Sequence, residues 1–283
     1  MAALPPIDAS TPFGQRRAGP AARALWQVAT MGWPPRIKRR VRRVARRHAG
    51  PFDVDLDADG KRLRFRTYPA ENYCDRVVFG QGRLPEHREH SALVPYLVPG
   101  MTFVDIGANV GAYSLFVAAH APGARILAFE PHPRTARKLR FNLTANGADA
   151  QVVEAAVGRD SGTMRLWSDG GGNVGQTSLL PEATSNAKVS VDVAVVPLAA
   201  ALAERDISHI DLLKIDVEGF EDRALSPLLA SSPRAAGDLR PRAILLEEEH
   251  AQLWETDLRA LLRERGYSPA FRTEQNVLYV LGA

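Results

Sequence analysis

Residues 101–111 read MTFVDIGANVG, and this stretch decides the fold. Thr102, Phe103, Val104 and Ile106 are the β-branched and aromatic residues that suit a buried strand. The run breaks at Gly107-Ala108-Asn109-Val110-Gly111 and passes into an apolar segment, residues 112–119, made of good helix formers. Strand, glycine turn and helix in that order open an α/β nucleotide-binding fold. The glycines let a ligand approach the backbone where a Cβ would block it.

Downstream, strand and helix patterns alternate. RILAF at 125–129 is a second strand closed by Glu130-Pro131, and residues 134–146 form a helix stopped by Gly147. Residues 151–157 read as a third strand. Residues 164–167 and 189–196 look like an inserted hairpin around the Gly-rich loop 169–175. A helix over 198–205, a strand over 210–215, a helix over 221–230, a strand over 242–246 and a helix over 251–265 follow. Strands over 267–271 and 276–281 close the chain without a helix between them, which implies an antiparallel edge. Such alternation specifies a mostly parallel sheet with right-handed crossovers and helices on both faces.

Upstream, residues 83–98 read as a helix ending at Pro99-Gly100, and residues 52–68 as a hairpin turning at Asp59-Gly60. Residues 1–50 carry eleven Lys or Arg against Asp8 alone, so this segment is +10 within a chain of net charge +4. The remaining body is −6 and gives no argument for nucleic acid. The prolines at 5, 6, 12 and 20 predict disorder over residues 1–22, and a short helix is expected over 23–33. Residues 36–48, RIKRRVRRVARRH, place Ile37, Val41, Val44 and His48 on one helical face with arginine on the others. That helix suits an anionic membrane surface or an acidic partner, although a solvated basic extension is the plainer expectation. Three parts are therefore expected: a basic, partly disordered extension over 1–50, a hairpin and helix over 51–100, and a cofactor-binding domain over 101–283. Cys74, the single cysteine among 283 residues, excludes an internal disulfide and fits a reducing compartment. No apolar run approaches the roughly 20 residues of a membrane span, and no signal-peptide core is read, so a cytoplasmic placement is expected, with peripheral membrane contact as an addition.

The ligand is narrowed by what the turn lacks. A dinucleotide fingerprint needs G-x-G-x-x-G, but Asn109 stands where the second glycine belongs. A nucleoside-triphosphate loop needs Gly-Lys-Ser/Thr, which is absent. Instead Asp105 ends the strand, an acid suited to a cationic ligand group. S-adenosylmethionine has an ammonium, a sulfonium and no phosphate. Glu130, at the end of the second strand, can accept both ribose hydroxyls. The fourth strand ends in DLLKIDVEGFE, with Asp216, Glu218 and Glu221 where an open sheet binds ligands. Lys214 is assigned to the periphery of the sheet.

The motifs VDIGANVG, AFEPHP and DLLKIDVEGFE resemble the FkbM-type family of S-adenosylmethionine-dependent methyltransferases. The likeness continues through Phe141-Asn142-Leu143, Asn146-Gly147, residues 155–158, residues 247–250 and the final GYSP…NVLYVL, covering about residues 75–281. It implies a class I methyltransferase sheet of seven strands with the last antiparallel, and O-methylation of sugar, glycan or small-molecule hydroxyls. By this resemblance Asp105, Gly107, Asn109 and Gly111 hold the methionine end, Glu130 with Pro131 the ribose side, and Asn142 neighbours the cofactor pocket. No residue for the adenine is identified.

Methyl transfer is an in-line displacement helped by a general base or a metal. Asp216, Glu218 and His250 are the candidate catalytic residues, with Glu247 or Glu248 as further carboxylates. Mg²⁺ would suit an oxygen-rich site, but nothing in the spacing enforces coordination, so no metal ligand is assigned. The acceptor pocket is expected from residues 52–68, the loop 169–175 and the helix before Met101. Two competing functions are a nucleic-acid methyltransferase gripping its substrate through the arginines and a non-catalytic binding protein. IDVEGF lacks the Asn/Asp-Pro-Pro-aromatic signature of base N-methylation, and the intact Asp105, Gly107, Gly111, Glu130 and Asp216 oppose the second.

Overall fold

The computed structural model describes residues 6–168, 177–184, 188–230 and 239–282. The expected glycine-rich loop 169–175 lies outside the described residues. In chain order, α1 (Pro20–Thr30) and α2 (Pro35–Ala45) precede a hairpin of β1 (Phe52–Ala58) and β2 (Lys61–Thr67). Next come α3 (Tyr73–Gln81) and α4 (His87–Leu93), then β3 (Thr102–Ile106), α5 (Ala112–His120), β4 (Arg125–Phe129), α6 (Pro133–Asn146) and β5 (Ala150–Val153). An insertion holds β6 (Ala156–Gly158), β7 (Gly162–Ser168), β8 (Thr177–Ser178) and β9 (Val189–Pro197). The chain returns through α7 (Leu198–Ala203), β10 (Leu212–Ile215), α8 (Glu221–Ala230), β11 (Ala243–Glu247), α9 (Leu258–Glu264), β12 (Tyr267–Arg272) and β13 (Asn276–Leu281).

The main sheet has seven strands in the order β12-β13-β11-β10-β3-β4-β5. β13 is antiparallel to both neighbours, while β11, β10, β3, β4 and β5 run parallel. The chain leaves β3 toward β4 on one side and returns to β10 on the other. β3 is thus the topological switch point, beside which ligands bind at the carboxyl ends of the strands. Alternate residues of β3 feed two cores: Phe103 packs with Leu115, Leu139 and Leu212, and Val104 and Ile106 pack with Leu198, Leu225 and Leu258. The expected α/β architecture and antiparallel end are present.

Local departures have local causes. The strand expected over 151–157 divides at Glu154-Ala155, with β5 in the main sheet and β6 in a four-stranded sheet ordered β6-β9-β7-β8. The helix expected over 83–98 is the short α4 and a 3₁₀ turn, because Pro85 and Pro95 interrupt it. α3 was not expected at all. It starts where the Asn72 side chain accepts the Cys74 N–H and stops at Gly82 in the left-handed region.

The N-terminal segment also differs. Residues 6–19, expected to lack order, are pinned by two buried side chains of the hairpin. Arg66 donates to the carbonyls of Asp8, Thr11 and Pro12 and pairs with Asp53 at 2.7 Å. Asp53 in turn accepts the N–H groups of Gly14 and Arg16. Trp26 of α1 is buried and donates to the His48 carbonyl. Leu56, Leu63 and Phe65 of the hairpin join the same core as Phe103.

Candidate active site

The turn after β3 is fixed by backbone contacts before any ligand is considered. A Cβ on Gly107 would stand 1.9 Å from the Asp216 carbonyl oxygen, so the close approach of the two strand ends admits only glycine. At Gly111 the obstacle is different: a Cβ would meet Leu139 of α6 at 2.7 Å. Gly111 therefore serves helix packing and does not reach the cavity, contrary to the expectation for a cofactor residue.

A cavity of about 420 Å³ opens at the carboxyl ends of β3, β4, β10 and β11. Of the ten residues predicted for the site, Gly107, Asn109, Glu130, Pro131, Asp216 and Glu218 line it. Glu130 is held from both sides: Asn109 N–H donates to Oε2 and His132 N–H to Oε1, each at 2.9 Å. Each oxygen keeps a lone pair for a further donor. Burial pushes the Glu130 carboxyl up to about 7. Three lining residues, Glu86, Asn109 and Glu218, have φ near +50° without being glycine, and such positions concentrate at functional sites.

The other predicted residues stand behind this wall. The Asp105 carboxylate is fully buried, accepts from Ser114 Oγ at 2.6 Å and lies 3.7 Å from Lys214 Nζ. It supports the wall without forming it, because strand alternation turns it toward α5. Asn142 is a clamp between segments, accepting the Arg66 N–H on Oδ1 and donating Nδ2 to the Val110 carbonyl. His250 lies outside the cavity wall, with Nε2 3.2 Å from Glu218 Oε2. Glu221 turns inward, where its Oε1 accepts the N–H groups of Val217 and Gly219 and so shapes the loop that presents Glu218. Glu248 also faces away, bound by Arg259, Arg272 and Tyr279. The hairpin 52–68 does not line the cavity.

Sequence reasoning missed two features. Lys214 is central, not peripheral: it donates to the Gly107 carbonyl at 2.9 Å and stands 3.5 Å from Asp216 Oδ2. Burial opposes its charge, but Asp216 and Asp105 outweigh burial and raise its pKa. A lysine inside the otherwise apolar LLKI strand was the available signal, because buried lysine requires a partner. The second omission is the wall from Asn72, Tyr73 and Cys74, whereas Pro85 and Glu86 come from the segment before Met101 that was expected to face the pocket. Asn72 Nδ2 donates to Asn109 Oδ1, tying this wall to the β3 turn.

The charge of the wall is one-sided. Glu86, Glu130, Asp216, Glu218, Glu247 and Glu249 line the cavity, and among the described residues no Lys, Arg or His does. Burial and the Asp216 charge push Glu218 up to about 8, and the same causes hold Glu247 well above the usual carboxylate range. Among the described residues no group of three or more His, Cys, Asp or Glu is arranged to hold a metal ion.

Comparison with known proteins places this geometry. The methyltransferase FkbM domain matches residues 105–269, more than half of the chain. The chain is similar to the 31-O-demethyl-FK506 methyltransferase FkbM of Streptomyces tacrolimicus, 30% identical over 156 residues that make up 46% of this chain and 60% of that protein. It is also similar to methyltransferase sdnD of Sordaria araneosa, 31% identical over 147 residues, 42% of this chain and 56% of the relative. The chain thus spans less than two thirds of the length of both relatives. Among solved structures, the putative methyltransferase yhhF from Escherichia coli superposes with a TM-score of 0.47 at 15% identity, covering 81% of this chain and 99% of that one.

Proposed function

The chain belongs to the FkbM methyltransferase family, and from that premise we propose that it moves a methyl group from S-adenosylmethionine to a hydroxyl of a sugar, glycan or small secondary metabolite. One observation carries the reading: a cavity at the switch point lined by six carboxylates and, among the described residues, no cationic side chain. A phosphate-bearing nucleotide would be repelled there, whereas a sulfonium donor with an ammonium group is complementary. The residues present fit that donor. Glu130 would take the ribose diol, and the turn from Ile106 to Asn109 with Asp216 would take the methionine end. When bound, the donor supplies an electrophilic methyl on a positively charged sulfur.

The chain's own residues supply the rest. Glu218, pushed up to about 8, is a base poised near neutral pH for the acceptor hydroxyl. His250 stands behind it, with Nε2 3.2 Å from the Glu218 carboxylate. Lys214 keeps Asp216 in place at the floor. The oxygen acceptor follows the printed name of the Streptomyces relative, which is a 31-O-demethyl substrate methyltransferase.

Calorimetric titration with S-adenosylmethionine tests the donor, and absence of binding heat sinks the proposal. Metabolite profiling of a deletion strain tests the acceptor, by a hydroxyl compound that accumulates one methyl group short.

A further inference from the structure

Exposed apolar side chains collect at one place on this molecule. Among the described residues, five of the nine large apolar side chains that face solvent lie between residues 28 and 44: Val28, Met31, Trp33, Ile37 and Val44. Apolar residues exposed singly are ordinary, but a group of them marks a contact surface. Trp33 Nε1 donates to the Val28 carbonyl at 2.9 Å, which lays the indole against the end of α1. Met31, the C-cap of α1, stands between the two. Ile37 follows four residues after Trp33, and Val44, two helical turns further, shares its stripe of α2. The other side of α2 is occupied: Ala45 is buried with Trp26 and Ala29, and Val41 packs against them. The stripe is thus left over once the fold is complete.

Its border is cationic. Arg36, Arg40 and Arg43 are exposed and lie about a quarter turn round α2 from Ile37 and Val44. None of the three forms an ion pair with a described acid, and the sequence holds no Asp or Glu between Asp8 and Asp53. Apolar side chains beside such arginines fit an anionic bilayer surface, where the first enter the acyl boundary and the second meet the headgroup phosphates. Tryptophan is a residue type that settles at that boundary. A nucleic acid would engage the arginines and leave the aliphatic side chains in water. No helix among the described residues is long and apolar enough to cross a membrane, so a contact of this kind is peripheral.

The same surface is joined directly to the cavity wall. α3 opens with Tyr73 and Cys74, which line the cavity, and its far end packs on α1. A Cβ on Gly80 would stand 2.6 Å from Thr30 Cγ2, and Gln81 donates to the Thr30 carbonyl at 3.3 Å. We propose that the end of α1, the turn at Trp33 and the exposed stripe of α2 form one face that docks on an anionic phospholipid bilayer. This docking does not rest on the methyl-transfer reading.

The test is co-sedimentation of the full chain with phosphatidylcholine vesicles, with and without phosphatidylglycerol, at about 0.15 M ionic strength. Binding is expected to the anionic vesicles alone, with a blue shift of tryptophan emission that Trp33→Phe removes while binding persists. Replacing Arg36, Arg40 and Arg43 together by Ala should weaken binding about a hundredfold. The double change Ile37→Ser with Val44→Ser should weaken it about tenfold or more. Val189→Ser and Arg165→Ala, at exposed positions of β9 and β7, should bind as the unaltered chain does. Absence of sedimentation with anionic vesicles, or an equal loss in these two controls, overturns the proposal. So does binding that the double serine variant keeps in full, which would make the contact one of charge alone. Retention of polyuridylate by the full chain, lost in the arginine variant and unaccompanied by vesicle binding, gives the face to nucleic acid and likewise overturns it. Vesicle binding in a chain that gives no heat with S-adenosylmethionine keeps the surface and removes the reaction, so the two readings fail separately.

Discussion

Two buried charge systems in this molecule are built in opposite ways. In the N-terminal clamp, Arg66 is 1% exposed and fully satisfied: Asp53 takes Nε and Nη2, three carbonyls take the remaining donors, and Phe141 lies under the guanidinium at 4.0 Å. Around Asp216, by contrast, carboxylates crowd one another, and Lys214 is the cation beneath them. The clamp needs nothing further, and the cavity is incomplete without a positively charged occupant. Satisfied buried charge marks architecture here, and unsatisfied buried charge marks binding.

The largest effect expected from that contrast is on turnover. Glu218→Gln should lower the rate by about 10²–10⁴-fold, the usual worth of a general base, with S-adenosylmethionine affinity nearly unchanged by calorimetry. In the unaltered chain, turnover should rise with pH through about 8, as Glu218 loses its proton; a flat profile would remove it from the role of base. Stability should move the other way. A carboxyl raised from 4.5 to about 8 holds its proton more tightly in the folded state, so its contribution is complete below 4.5 and is lost as pH rises through about 8. Glu218→Gln lacks that loss, so its melting temperature should exceed that of the unaltered chain at pH 9 and match it more closely at pH 5.

Next in size is the clamp. Arg66→Ala leaves Asp53 buried without its cation and should cost about 3–5 kcal/mol in urea denaturation. An unchanged midpoint would show that residues 6–19 are not fastened by Arg66. A smaller effect is expected at Asn142, the residue that joins the two regions. Asn142→Ala strands the Arg66 N–H and the Val110 carbonyl and should cost about 1–3 kcal/mol. Its donor affinity should match the unaltered chain once folded, and a large loss of affinity would return Asn142 to the pocket.

The contrast also explains which residues could be read from the chain. Glu130 and Asp216 were legible because each ends a strand whose apolar run is unmistakable, so position along the strand places them at the cavity. Asp105 instead lies inside β3, paired with Lys214 and Ala128 two residues before the level of Asp216 and Glu130, so its side chain stays within the fold and meets Ser114 of α5. Glu247, Glu248 and Glu249 are three consecutive acids of one type. Only the end of β11 and the pull of Arg259, Arg272 and Tyr279 separate Glu248 from the two that line the cavity. Lys214 was misplaced because two of its three partners, Asp105 and the Gly107 carbonyl, are more than 100 residues away in the chain.

By itself the sequence determined the parallel sheet, the antiparallel strand near its end, the glycine turn and the carboxylates of the strand ends. These follow from hydrophobic period and turn chemistry, which act over a few residues. Only the tertiary structure decided that residues 6–19 are fastened to the hairpin and that Asn72, Tyr73 and Cys74 join the cavity wall. Those outcomes depend on long-range contacts between polar groups, and the energy of such contacts is set by which partners burial brings together, not by neighbours in the chain.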